Sequence, residues 1–182
     1  AMTMDYMYAD VNKLLPFLGN HDMARITDVV KDKDPRRVKL GYVLLATMRG
    51  IPQVLYGDEY AMTSANLEDP NNHSYLRAPL PQGDQVTAHM QEMYDFQSKL
   101  FQWRKDEPVL HFGKTMHFLA RNNTYSYFRY NDKEAVFVFV NAAEEARRIP
   151  TETYAEILGQ YNAVGFSPIT GETIDLNRTD RS

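Results

Sequence analysis

The chain has no cysteine among its 182 residues. That absence excludes disulfides and thiolate metal sites, though it leaves the compartment open. No apolar run approaches the ~18 residues that a membrane-crossing helix needs, so no membrane partner is expected. Basic residues are in deficit. Twenty Lys and Arg stand against 24 Asp and Glu, for a net charge of −4 and a pI of about 5.7. A nucleic-acid partner, which needs a basic stripe, is not expected either. The opening AMTMDYMYAD has no basic n-region and no long apolar h-region, so it does not read as a signal peptide. Ala1-Met2 reads instead as an appended scar, which would put any export signal upstream of residue 1. His73, His89, His111 and His117 lack metal-ligand spacing, and no metal or other cofactor is expected.

What is present is an ordinary globular composition: 43% apolar and 24% charged. Tryptophan occurs once, but 12 Tyr and 9 Phe supply aromatic mass for a core. The length fits one domain or one and a half. KLLPFLG, Lys13 to Gly19, is a short apolar run of the kind found in a strand buried on both faces. Pro16 restricts that strand to about Pro16–Leu18. DPRRVKLGYVLLATMRG then predicts a helix with Asp34 as N-cap, Pro35 at the first helical position and Gly50 as terminator. Its apolar stripe comprises Val38, Leu45 and Met48, widened by Tyr42 and Leu44. A second apolar run, IPQVLYGDE from Ile51 to Glu59, completes a strand–helix–strand unit, which predicts a right-handed crossover in a parallel sheet.

Residues 61–86 are rich in Asn, Pro, Gly and Asp and predict a long loop, a length more often functional than idle. A helix follows from about Val86 to Arg104, with Met90, Met93, Tyr94, Gln97, Leu100 and Phe101 on one face. Beyond Val109 the texture changes to TMHFLA, TYSYFRY and AVFVFV, separated by RNN and NDKE, which is the grammar of antiparallel strands and turns. RRIP, AEIL and ETIDL, with the turn SPITG, continue it less clearly. The boundary is placed near Glu107.

Between the two apolar runs' ends lies the polar triplet of FLGNHDMARI: Asn20, His21 and Asp22. Alone, it is explained as well by a turn cap as by a site. With RGIPQVLYGDE downstream, then Arg77, then FQWRKDEPVLHFG and the aromatic antiparallel region, the chain resembles the α-amylase superfamily of glycoside hydrolases. The pattern NHDMxR is most similar to the neopullulanase and cyclomaltodextrinase-like branch. The resemblance implies a fold of α/β plus all-β class: the last two βα units of a (β/α)8 TIM barrel followed by an antiparallel C-terminal β-sandwich. Residues 1–107 would be the barrel portion and 108–182 the sandwich.

The same resemblance implies roles. Asp22 corresponds to the third carboxylate of the family's catalytic site, the one that grips the sugar and helps distort it. His21 corresponds to the imidazole that hydrogen-bonds sugar hydroxyls, and Asn20 supports the turn. Arg77 either lines the substrate pocket, with Asp69 as partner, or makes a loop salt bridge; RAPLPQG departs from the family's usual R-x-P-M-x-W form. Arg25 is read either as a solvated arginine or as one that orients acids near the cleft. Asp58 and Glu59 fall where the family is structural. Tyr125, Tyr127 and Tyr130 form either a sugar-stacking platform or a set of cross-strand pairs.

The family's nucleophile and acid/base lie on barrel strands that would precede residue 1. The expectation is a fragment of a retaining α-glucan hydrolase, inactive alone, with an α-glucan oligosaccharide as partner. Self-association through open sheet edges is expected as well. The alternatives are a transglycosylase of the same family and a non-catalytic carbohydrate-binding or interaction module.

Overall fold

In the computed structural model, residues 4–64, 77–161 and 164–176 are described. The chain forms two compact units, Ala1–Asp106 and Glu107–Ser182.

The first unit is built around two helices. Asp34 starts helix α2 (Pro35–Thr47), which follows a single turn, α1 (Ile26–Val29). The Asp34 carboxylate accepts from the Arg36 amide at 2.8 Å and also grips the Arg36 guanidinium, which holds its pKa down. Val38, Tyr42 and Leu45 recur at helical spacing and are buried, together with Ala46 and Thr47. Helix α3 (Ala88–Lys105) is capped by Thr87, whose hydroxyl accepts from the Met90 amide. It packs on α2 through Met93, Gln97, Leu100 and Arg104, all buried. Tyr94, expected on that face, is exposed and stacks on Tyr60, the ring centroids 5.3 Å apart.

Arg104 closes the unit from inside. Its guanidinium donates to the carbonyls of Ala46 and Met48, and to that of Gly50 at 2.7 Å. These carbonyls stand at and beyond the C-terminal end of α2, where no helical N–H reaches them, so a buried cation satisfies them instead.

The two expected parallel strands are reduced to one parallel bridge, Phe17 with Gln53. The Ile51 amide donates to Leu14 O at 2.7 Å and the Gln53 amide to Pro16 O at 2.9 Å. Pro16 and Pro52 have no N–H, which limits how far a ladder extends on either side. The run Ile51–Glu59 therefore does not form one strand. Past Gln53 it turns, and Asp58–Tyr60 is a 3₁₀ turn. Gly50 makes the bridge possible. It sits at φ +100°, and a Cβ there would come within 2.6 Å of Leu14 O and 2.8 Å of Pro16 Cδ.

The second unit opens with a short helix, α4 (Pro108–Phe112). Strands β1 (Lys114–His117), β2 (Thr124–Tyr130) and β3 (Ala135–Asn141) then form an antiparallel sheet in the order β1-β2-β3. Asn122 and Asn123, at φ 49° and 60°, turn β1 into β2, conformations that asparagine tolerates well. AEIL, read as possible strand, is helix α5 (Ala155–Leu158); Ile157 on it and Tyr154 just before it are buried against Phe128 of β2. RRIP carries no strand. Strands β4 (Val164–Phe166) and β5 (Thr173–Asp175) pair separately. The turn SPITG joins them, with the Gly171 amide donating to Ser167 O at 2.9 Å.

Gly50→Ala is expected to destabilise the first unit by about 1–3 kcal/mol, because the added methyl meets backbone and the φ is strained. A denaturant midpoint equal to that of the parent chain would refute this account of the bridge.

Candidate functional site

The segment that forms the bridge at Phe17 runs into Gly19 and then a tight turn. The Asn20 side chain sets that turn: its Oδ1 accepts from the Asp22 amide at 2.8 Å, and its backbone carbonyl accepts from Met23. His21 and Asp22 therefore project side by side. His21 Nε2 lies 3.2 Å from Asp22 Oδ2, and the two side chains are 62% and 61% exposed. Asp22 is open to solvent, as a carboxylate that meets a ligand has to be.

Arg77 reaches the same point. Its Nη2 donates to Asp22 Oδ1 at 3.0 Å, across 55 positions of sequence. The three residues His21, Asp22 and Arg77 thus converge, and Asn20 supports them. The pairing of Arg77 with Asp22 was not foreseen. Asp69, its expected partner, and His73 lie outside the described residues, as do residues 65–76 of the long loop.

Beneath this surface lies a different pair. Arg25 is fully buried and Asp58 is 2% exposed. Arg25 Nη1 donates to Asp58 Oδ1 at 2.6 Å and to Tyr56 O at 2.8 Å. Arg25 is therefore not a solvated surface arginine. Burial pushes the Asp58 carboxyl pKa up, and the Arg25 guanidinium and Tyr42 hydroxyl pull against that rise. The Tyr42 phenol is raised in turn by its own burial and by the Asp58 charge. Gln97 of α3 donates to Asp58 O at 2.9 Å. Gly57, at φ +87°, leaves room for the arrangement; a Cβ there would fall 3.3 Å from Arg25 Nη1. Asp58 is thus occupied by scaffold, while Asp22 is solvent-open and paired only with His21 and Arg77 at the surface.

Sequence reading did not single out Arg104 or the buried Arg129 of β2, which donates to Gly113 O at 2.8 Å. For Arg104 the signal was available, since it follows Met93, Gln97 and Leu100 at i+3 and i+4 spacing. Among the described residues no group of three His, Asp or Glu is placed to hold a metal, and no helix is long and apolar enough to cross a membrane.

The described units combine a mixed α/β part, with a polar turn at the end of a parallel-bridged segment, and an antiparallel β part. Comparison with known proteins narrows that class. Residues 115–179 match the family described as the cyclo-malto-dextrinase C-terminal domain. The cyclomaltodextrin glucanotransferase of Geobacillus stearothermophilus is 31% identical over 160 residues, which cover 84% of this chain and 21% of that protein. A solved cyclomaltodextrin glucanotransferase with a three-domain ABC distribution superposes with a TM-score of 0.63 at 26% identity, over 78% of this chain and 27% of that one. An Anoxybacillus α-amylase shares the fold at a TM-score of 0.67 and 22% identity, over 93% of this chain and 35% of that one. The chain belongs to the α-amylase superfamily of glycoside hydrolases. It spans about a fifth of the length of the first curated relative it matches.

Arg25→Met is expected to cost about 3–5 kcal/mol, the penalty for leaving a buried charge unpaired. It also removes a group that opposes the rise of the Asp58 pKa. A carboxyl whose folded pKa lies above its unfolded value stabilises most below about 4 and loses that contribution as pH rises through the folded value. The variant should therefore weaken more steeply between acid and neutral pH than the parent chain. Urea midpoints that fall in parallel for both would refute the role given to Asp58.

Proposed function

We propose that this chain contributes the end of the catalytic barrel and the C-terminal domain to a retaining α-glucan hydrolase acting on α-glucosidic bonds in starch-like oligosaccharides. The segments that meet at Phe17 and Gln53 are read as the ends of the last two barrel strands, and the second unit as the sandwich. Asp22 carries the reading: a solvent-open carboxylate at a strand end, set by Asn20 and flanked by His21 and Arg77. Catalytic groups of such barrels stand at the C-terminal ends of strands.

The chemistry follows from charge. Glycosidic cleavage passes through an oxocarbenium-like state, in which the sugar ring becomes cationic. A carboxylate held against that ring is attracted more strongly as the charge develops. Asp22 supplies that charge and accepts hydrogen bonds from sugar hydroxyls. His21 donates to a neighbouring hydroxyl and restrains Asp22 through their contact. Arg77 holds the other carboxylate oxygen when no sugar is bound. A retaining mechanism needs two further carboxyl groups about 5 Å apart, a nucleophile and an acid/base. Asp58, tied to Arg25, is unsuited to either part. The chain by itself is accordingly read as inactive.

The likeness to glucanotransferases favours a second reading of the same site, in which a sugar hydroxyl rather than water accepts the glycosyl group. Both readings use Asp22 in the same way.

Titration of the purified chain with maltotriose is expected to shift the NMR signals of His21 and Asp22, to lose that response in His21→Ala, and to release no glucose or maltose. Hydrolysis of maltooligosaccharide, pullulan or cyclodextrin by the chain alone would overturn the assignment of roles, and silence at His21 and Asp22 would overturn the site.

The bridged segments also carry exposed Leu15, Phe17, Ile51 and Val54. Apolar side chains beside unpaired strand edges favour association. Light scattering is expected to show concentration-dependent self-association; a constant monomer mass would refute it.

A further inference from the structure

The polar turn of the first unit leaves the interior and returns to it. Gly19 is buried, His21 to Met23 are exposed, and Arg25 is buried again. The two feet of the turn touch: a Cβ at Gly19 would lie 3.6 Å from Ala24 O and 4.0 Å from Arg25 Cα. Each foot is fastened to the same second segment. Just before the first stands the bridge of Phe17 with Gln53. The second is Arg25 itself, whose Nη1 donates to both Asp58 Oδ1 and Tyr56 O. The guanidinium also lies over the half-exposed Tyr56 ring, 5.4 Å from its centroid. Asp58 is held in turn from α3, where Gln97 donates to its carbonyl.

One fastening would leave the tip free to swing, because every residue between the feet has two soft dihedrals. The hydrogen bonds within the turn are local: Asn20 Oδ1 accepts from the Asp22 amide and Asn20 O from the Met23 amide. They fix the shape of the turn but not its direction relative to the second segment. Two fastenings fix both. The second one is more than packing calls for. A buried ion pair is a weak stabiliser, and apolar residues of similar volume often do as well. What apolar contact does not supply is direction. A guanidinium that meets two acceptors, at 2.6 and 2.8 Å, supplies it.

We propose that Arg25, held by Asp58, is a positioning residue: it sets the direction in which the turn presents His21 and Asp22. Arg25 and Asp58 are buried and do not meet the sugar; they act through the backbone of the turn. That Asp22 meets a sugar rests on the proposed function above; the coupling of Arg25 to the turn does not.

The test is a pair of variants of the full chain, read by NMR relaxation of the backbone amides. In Arg25→Gln/Asp58→Asn the buried pair becomes neutral, so no charge is left unpaired, but the shorter side chain no longer spans the gap. Order parameters of residues 20–24 are expected to fall from about 0.85, the value of rigid backbone, toward about 0.6, while those of α2 and α3 hold. Arg25→Lys keeps the buried charge but not the planar fork. It should lie between the neutral pair and the parent chain, and it carries the test if the neutral pair does not fold. The response of His21 and Asp22 to maltotriose should weaken about tenfold in the neutral pair, as loss of one charged hydrogen bond would. A folded variant whose turn stays as ordered as in the parent chain overturns the positioning role. Loosening of α2 and α3 in step with the turn overturns it too, since the pair would then be general scaffold. A parent chain silent to maltotriose overturns the sugar reading alone; a turn that loosens by itself in the neutral pair still supports the positioning role.

Discussion

The buried pair of Arg25 and Asp58 is the constraint on which the first unit turns. A fully buried guanidinium is tolerable only where its charge is compensated, and here a carboxylate and the Tyr56 carbonyl both accept from Nη1. Arg25 stands just past the polar turn, and Asp58 just past the second apolar run. Pairing them ties the two segment ends together where the backbone supplies little: a single parallel bridge. Gln97 attaches α3 to the same point through Asp58 O. The ion pair thus does for these ends what a longer ladder does in a complete sheet.

This arrangement also separates the acids by task. Asp58 is dry and neutralised by a rigid partner. Asp22, a few residues from Arg25, is wet, with its partner His21 largely exposed and Arg77 partly so. An exposed ion pair contributes little to stability, about 0–1 kcal/mol, and is readily exchanged for another partner. Asp22 can therefore give up Arg77 to a ligand at small cost, whereas Asp58 cannot give up Arg25. Under the proposed function, scaffold and site acids are distinguished by solvent access, not by residue type.

Arginine closes gaps elsewhere too. Arg104 satisfies carbonyls at the end of α2 from within the unit, and Arg129 reaches Gly113 O from β2. In each case a long side chain with several donors reaches backbone acceptors that secondary structure leaves unmatched. These arginines are structural, although charge alone would assign them to the surface.

By itself, the sequence determined the elements whose causes are local. Asp34-Pro35 started α2, the spacing of Val38, Tyr42 and Leu45 chose its buried face, and the β-branched and aromatic runs TYSYFRY and AVFVFV, set apart by turn residues, produced β2 and β3. The triplet Asn20-His21-Asp22 is by local pattern no more than a turn cap; it reads as a site only through the resemblance of the surrounding motifs to the α-amylase superfamily. What only the tertiary structure decided were matters of partnership between distant residues. Arg77 meets Asp22 and Arg25 meets Asp58 across long stretches of chain, and no local pattern encodes those encounters. The extent of the parallel strands was decided in the same way, since a strand in a parallel sheet is defined by its neighbours, and two segments interrupted by Pro16 and Pro52 hold only a bridge. AEIL became helix rather than strand because Ile157, beside Tyr154, packs against Phe128, a contact set by the fold and not by a four-residue propensity.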